Sequence, residues 1–136
     1  MRRFLIVLGI LLMSAAAIYG GLALVSHSFA RWLSSADPIP GFMADYETKS
    51  TGSDERAIRT FPEFLAQAFP TGTDAKDAIA QITRGGFAVT TSSSDSVELL
   101  WRRHAGPCSE VYSITIGQSA DGRIAKITGR LHPVCL

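Results

Sequence analysis

The chain has 136 residues and a formal net charge of +1, from 13 Lys and Arg against 12 Asp and Glu, which is room for one domain with extensions. That balance gives no case for nucleic acid or for any strongly charged partner. The sequence contains no Asn and therefore no N-glycosylation sequon,, and with its abundant Ala it leans toward a bacterial composition.

The N-terminus carries the strongest signal. Met1-Arg2-Arg3 is a basic start, and Phe4 to Val25 is an uncharged, mostly apolar run of 22 residues. As a helix it is about 33 Å long, enough to cross a hydrocarbon core of roughly 30 Å. A cleaved signal peptide is the rival, because its apolar region needs only about 7–15 residues. Cleavage after Ala17 would leave Ile18–Val25 as an exposed apolar tail, and the run before Ala30 is too long for a signal peptide. The expectation is an uncleaved signal-anchor over 1–25, in the membrane through residues 4–25. Arg2 and Arg3 mark the cytoplasmic end by the positive-inside bias, so the rest of the chain faces the periplasm.

Residues 26–59 are expected to be a juxtamembrane tether. Asp37-Pro38-Ile39-Pro40-Gly41 breaks any helix, and Thr48–Asp54 is a polar run,. The folded domain is expected to span 60–136. Thr60-Phe61-Pro62-Glu63 fits a capping box with proline tolerated in the first turn. Phe61, Phe64, Leu65 and Ala68 then share one helix face until Phe69-Pro70,. For a second helix, Thr73 reads as the N-cap, and Ala75, Ala78, Ile79 and Ile82 form the apolar stripe. Gly85-Gly86 supplies the stop,.

After Gly86 the period becomes two, which predicts strands at Phe87–Thr91, Val97–His104, Glu110–Ser119 and Arg123–Leu131,. Asp121-Gly122 is a hairpin signal. As a two-residue loop it makes the numbers of paired positions sum to 243. Tyr112 then faces Leu131, Ile114 faces Gly129, Ile116 faces Ile127 and Gln118 faces Ala125. The other face pairs Val111 with His132, Ser113 with Arg130, Thr115 with Thr128 and Gly117 with Lys126. One face is mostly apolar and the other mostly polar, as a half-buried sheet requires. The fold class is therefore α+β: an N-terminal transmembrane helix, then two short helices on a four-stranded antiparallel sheet.

The same register sets Cys108 opposite Cys135, the two cysteines of the chain. In an oxidising compartment opposed residues suit a disulfide. The rival is a zinc site from His104, Cys108, His132 and Cys135, but the register sends His132 to the face opposite the cysteines. No metal or cofactor is assigned. Trp101-Arg102-Arg103-His104 is a concentrated basic segment beside an aromatic, a possible contact for an anionic ligand or an acidic partner. The alternative is an ordinary strand with Trp101 inward and Arg102 solvated. Glu98, Glu110 and Asp121 are scattered, and no phosphate loop, zincin helix or nucleophile elbow is present,. No catalytic residue is assigned, and the protein is not read as an enzyme.

The segment Phe69-Pro70-Thr71-Gly72-Thr73, a helix ending at Gly85-Gly86-Phe87 and an antiparallel meander follow one another. In this order of elements residues 60–136 resemble the small helix–helix–sheet lipoproteins of the outer-membrane barrel assembly machinery. The resemblance implies a scaffold or accessory role in the cell envelope. The expected function is an inner-membrane-anchored, periplasm-facing interaction module with an envelope protein partner. Alternatives are a small binding protein for an anionic envelope lipid or glycan, and a periplasmic immunity-type inhibitor. No nucleic-acid partner is expected.

Overall fold

The computed structural model describes residues 17–22, 25–31, 35–50 and 53–135. The chain divides into two compact units, Met1–Ser35 and Ala36–Leu136. In the first, residues 17–22 and 25–31 are helical. The predicted anchor falls mostly outside the described residues. Among those described, no helix is long and apolar enough to cross a membrane.

The second unit begins at Ala36, well before Thr60. Pro40, at φ -50° and ψ 139°, stands just outside the helix, and its carbonyl accepts from Met43, opening a 3-10 turn over Gly41–Met43 that continues as helix α1, Ala44–Ser50. Met43 and Tyr46 are buried in the core. The expectation of a tether across 26–59 therefore gives way from Ala36 onward, because these two side chains are needed to fill the interior. Local breakers such as Asp37-Pro38 and Pro40-Gly41 announce a turn and say nothing about whether the next turn is packed.

Helix α2 spans Asp54–Ala68, so the predicted start at Thr60 is also corrected. The Ser53 hydroxyl accepts the Arg56 amide at 3.3 Å, and Asp54 and Glu55 complement the positive end of the helix,. Pro62 consequently sits inside the helix, where it removes one backbone bond, a cost of about 3 kcal/mol. Burial of Phe61, Phe64 and Leu65 offsets it, at roughly 1.5–3 kcal/mol per side chain. Helix α3 is Ala75–Arg84, with Asp74 rather than Thr73 as its cap: the Asp74 carboxylate accepts the Asp77 amide at 3.0 Å. Thr73 is engaged elsewhere, its carbonyl accepting from Ile124 at 2.8 Å. Gly86, at φ 98°, makes the left-handed stop,, and Phe87 is buried behind it.

Four strands form one antiparallel meander in sequence order: β1 Ala88–Ser92, β2 Ser96–Ala105, β3 Cys108–Gln118 and β4 Ile124–Cys135. The β2–β3 turn is Gly106-Pro107. Gly106 has φ 61°, and proline excludes a second positive φ, which leaves the II′ geometry that suits hairpin twist. The β3–β4 register follows the 243 sum from Cys108 opposite Cys135 to Gly117 opposite Lys126. Nearer the turn two local features differ from expectation and cancel. Gly122 donates to Ser119 and Ser119 to Arg123, so the loop has three residues with Gly122 at φ 75°,. A bulge at Ala125 then takes up the extra residue, and Gln118 faces Ile124 instead of Ala125,.

All the large buried side chains of the sheet lie on one face, among them Val97, Leu99, Tyr112, Ile114, Ile116 and Leu131. Helix α2 crosses β4 at Gly129. A Cβ there would collide with Leu65 and come within 2.8 Å of Phe61, so glycine is what lets the helix lie this close.

Candidate functional site

The segment Trp101–His104 alternates across the sheet, so it does not form one patch. Trp101 faces the core, tilted against Phe87 and Tyr112 with ring centroids 5.7 and 5.2 Å away. Arg102 is exposed on the uncovered face, opposite Val111. Arg103 returns to the helix side, opposite Glu110, and His104 lies in register with Ser109. The His104 amide donates to the Asp37 carboxylate at 3.0 Å.

Arg103 is the centre of a polar cluster where the apolar core ends. Its Nε donates to the Asp37 carbonyl at 2.7 Å, and its terminal nitrogens reach Glu47 at 3.3 Å and Glu110 at 3.5 Å. The Tyr112 hydroxyl donates to Glu110 at 2.7 Å. Burial and this bond, whose acceptor is already anionic, push the Tyr112 phenol well above the usual range,. Tyr46 donates to the Ala57 carbonyl at 3.1 Å, and burial pushes its phenol up to about 12. A cleft of about 430 Å³ opens beside these residues, lined also by Ile39, Ser50, Ser53 and Asp54. Its arginine is satisfied from three sides and ties the Asp37 segment and α1 to the sheet. Tyr46 and Glu47 belong to the stretch read as tether, which is why the sequence did not reveal this cluster.

The cysteines form a disulfide, Sγ–Sγ 2.00 Å and Cα–Cα 4.0 Å, beside the Gly106-Pro107 turn. Oxidation removes both thiolates, and the register places His104 and His132 across the sheet from them. The zinc alternative therefore loses its ligand set. Among the described residues no group of three His, Cys, Asp or Glu converges.

Within the Ala36–Leu136 unit, the described helices all pack on the other side of the sheet and leave this face to polar residues. Arg102 on β2 is joined there by Lys126, Thr128, Arg130 and His132 on β4, by register with Gly117, Thr115, Ser113 and Val111. Glu98 is the facing carboxylate. Among the described residues, none of Arg102, Lys126 and Arg130 is in an ion pair. A shallow groove of about 340 Å³ runs between Glu98, Thr90, Ser113, Thr115, Thr128 and Arg130. Ser113, Thr115, Thr128 and Arg130 were on the polar side of the predicted β3–β4 register, but nothing in their spacing separated a functional face from a merely solvated one.

What the fold defines is a two-layer α+β domain, helices on one side of a four-stranded meander and an open, cationic sheet face on the other. Set against known protein families, curated proteins and solved structures, the chain matches none.

Proposed function

We propose that this chain is a membrane-anchored, periplasm-facing interaction module without catalytic activity, which presents the uncovered face and edge of its sheet to an envelope protein. The observation that carries the reading is the division of labour in the sheet. One face is consumed by the helices and the aromatic core, while the other holds Arg102, Lys126 and Arg130 outside any ion pair. The apolar run 4–25 supports the anchor, as do Ile18, Tyr19, Leu22 and Val25, which are exposed apolar residues of its helical part. An anchored domain held near its partner needs little intrinsic affinity, because tethering raises the effective concentration.

A second reading, a binder of an anionic envelope lipid or glycan, draws on the same cations and on the hydroxyl-lined groove between Thr115, Thr128 and Arg130. Crosslinking in cells followed by purification in detergent separates the two. A stoichiometric protein adduct supports the module; a retained lipid or glycan with no protein adduct supports the second reading and overturns the first.

A further inference from the structure

Strand β4 is the last of the sheet, and the direction of its backbone groups follows from one bond. The Gln118 amide donates to the Asp95 carbonyl, so even-numbered residues of β3 turn toward β2 and odd-numbered ones toward β4. Across the regular register Lys126, Thr128, Arg130 and His132 therefore bond to β3. Ile127, Gly129 and Leu131 turn their N–H and C=O groups to the outer edge. Two facts agree with this phase. Pro133, which has no N–H to give, falls in the outward set,. Ile124, opposite Gln118, exchanges bonds of 2.8 Å with Gly72 and Thr73 outside the strand.

We propose that the β4 edge accepts an extended segment of a partner protein as a fifth strand, and that this segment alternates acidic and apolar side chains. The inference rests on the interaction-module reading and names its partner. On the open face the added strand would lie beside Lys126 and Arg130, a cationic row that acidic side chains complement. On the helix face it would lie under the stripe of α2 that crosses β4 at Gly129. Ile58 continues that stripe one turn before Phe61, yet it remains 41% exposed, so an apolar residue there gains cover. The same row rejects a second copy of this chain. In antiparallel self-pairing centred on Thr128, Lys126 opposes Arg130 of the other copy, and like charges across a pair are unfavourable. Main-chain bonds would give affinity and the alternating side chains specificity.

The test uses full-length protein in detergent with two synthetic peptides, one alternating Glu and Val and one alternating Lys and Val. The Glu–Val peptide is expected to bind and to slow amide exchange at Ile127, Gly129 and Leu131. The double variant Lys126→Glu, Arg130→Glu is expected to weaken that peptide by about tenfold or more and to reverse the preference toward Lys–Val. Ile58→Ser, a change at a 41% exposed position, is expected to weaken it less. Absence of binding, binding without protection of those amides, or indifference to charge reversal overturns the proposal. A photo-crosslinking residue placed in cells at Thr128, and separately at Glu98 on the open face away from β4, tells the two readings apart. Adducts at Glu98 with none at Thr128 overturn the edge site and leave the module standing. No adduct at any position overturns both.

Discussion

Gly129 and Arg103 each hold a helix against the sheet, by opposite means. At Gly129 the absence of a side chain admits Phe61 and Leu65. Gly129→Val is expected to cost about 1–3 kcal/mol through overpacking, read as a lower urea midpoint, whereas Gly117→Ala, where a Cβ meets ordinary contacts from 3.6 Å outward, is expected to be far milder. Equal losses would discount the close approach of α2. At Arg103 the effect is electrostatic. Its side chain is 13% exposed and Glu110 is 20% exposed, so Arg103→Met leaves a largely buried carboxylate with the Tyr112 hydroxyl. A loss of about 1–3 kcal/mol is expected. Glu47, at 52% exposure, contributes little, so Glu47→Gln is expected to cost under about 0.5 kcal/mol. The nearby phenols add a pH dependence with a definite sign. Their folded pKa values are raised, so their contribution is complete below the unfolded value of 10.0 and is lost as pH rises, through about 12 for Tyr46,. Unfolding monitored by tryptophan fluorescence is expected to become easier above pH 10, and Tyr46→Phe is expected to reduce that slope.

At the scale of elements, the β3–β4 hairpin and its disulfide act together. By the backbone phase, Cys108 and Cys135 form a pair that does not exchange main-chain bonds, the closer of the two antiparallel spacings; their Cα atoms are 4.0 Å apart. The chain-entropy model gives roughly 3.5 kcal/mol for a loop of this length. No free thiol is expected in native protein. Cys108→Ser with Cys135→Ser is expected to lower stability by about 2–5 kcal/mol. Separate thiol-bearing peptides in a non-reduced digest would contradict the bond. Helix α2 shows the complementary case, in which tertiary packing overrides a local breaker. Pro62→Ala restores one backbone donor, and the variant is expected to be more stable, provided the packing of Phe61 and Leu65 is unchanged.

For the whole molecule the proposed anchor is the decisive matter. Carbonate-washed membranes are expected to retain the full-length chain, with residues 36–136 reached by protease only after the outer membrane is opened. A soluble product beginning at Ile18 or Arg31 would replace the anchor with a cleaved signal. Charge is also distributed at this scale. The near-neutral total conceals an open sheet face bearing Arg102, Lys126 and Arg130 against Glu98. Net charge therefore says little about which partner the domain prefers.

Alternation and turn chemistry were enough to place the α+β class, both main helices, four strands and the pairing of Cys108 with Cys135. Each depends on neighbours in the chain or on a register counted from one turn. The register survived a wrong loop length because the bulge at Ala125 returned the lost residue, a compensation the alternating pattern demands since one face must stay buried. What the sequence could not decide was membership of the core by Met43 and Tyr46, or the cluster that Arg103 forms with Asp37, Glu47 and Glu110. The bonds of Arg103 to Glu47 and Asp37 join residues 56 and 66 positions apart, and no local propensity reports on them. Trp101 to His104 read as one basic motif along the chain. Strand alternation already offered Trp101 inward and Arg102 solvated; only the packed sheet decided what Arg103 meets on the helix side, the cluster of Asp37, Glu47 and Glu110,.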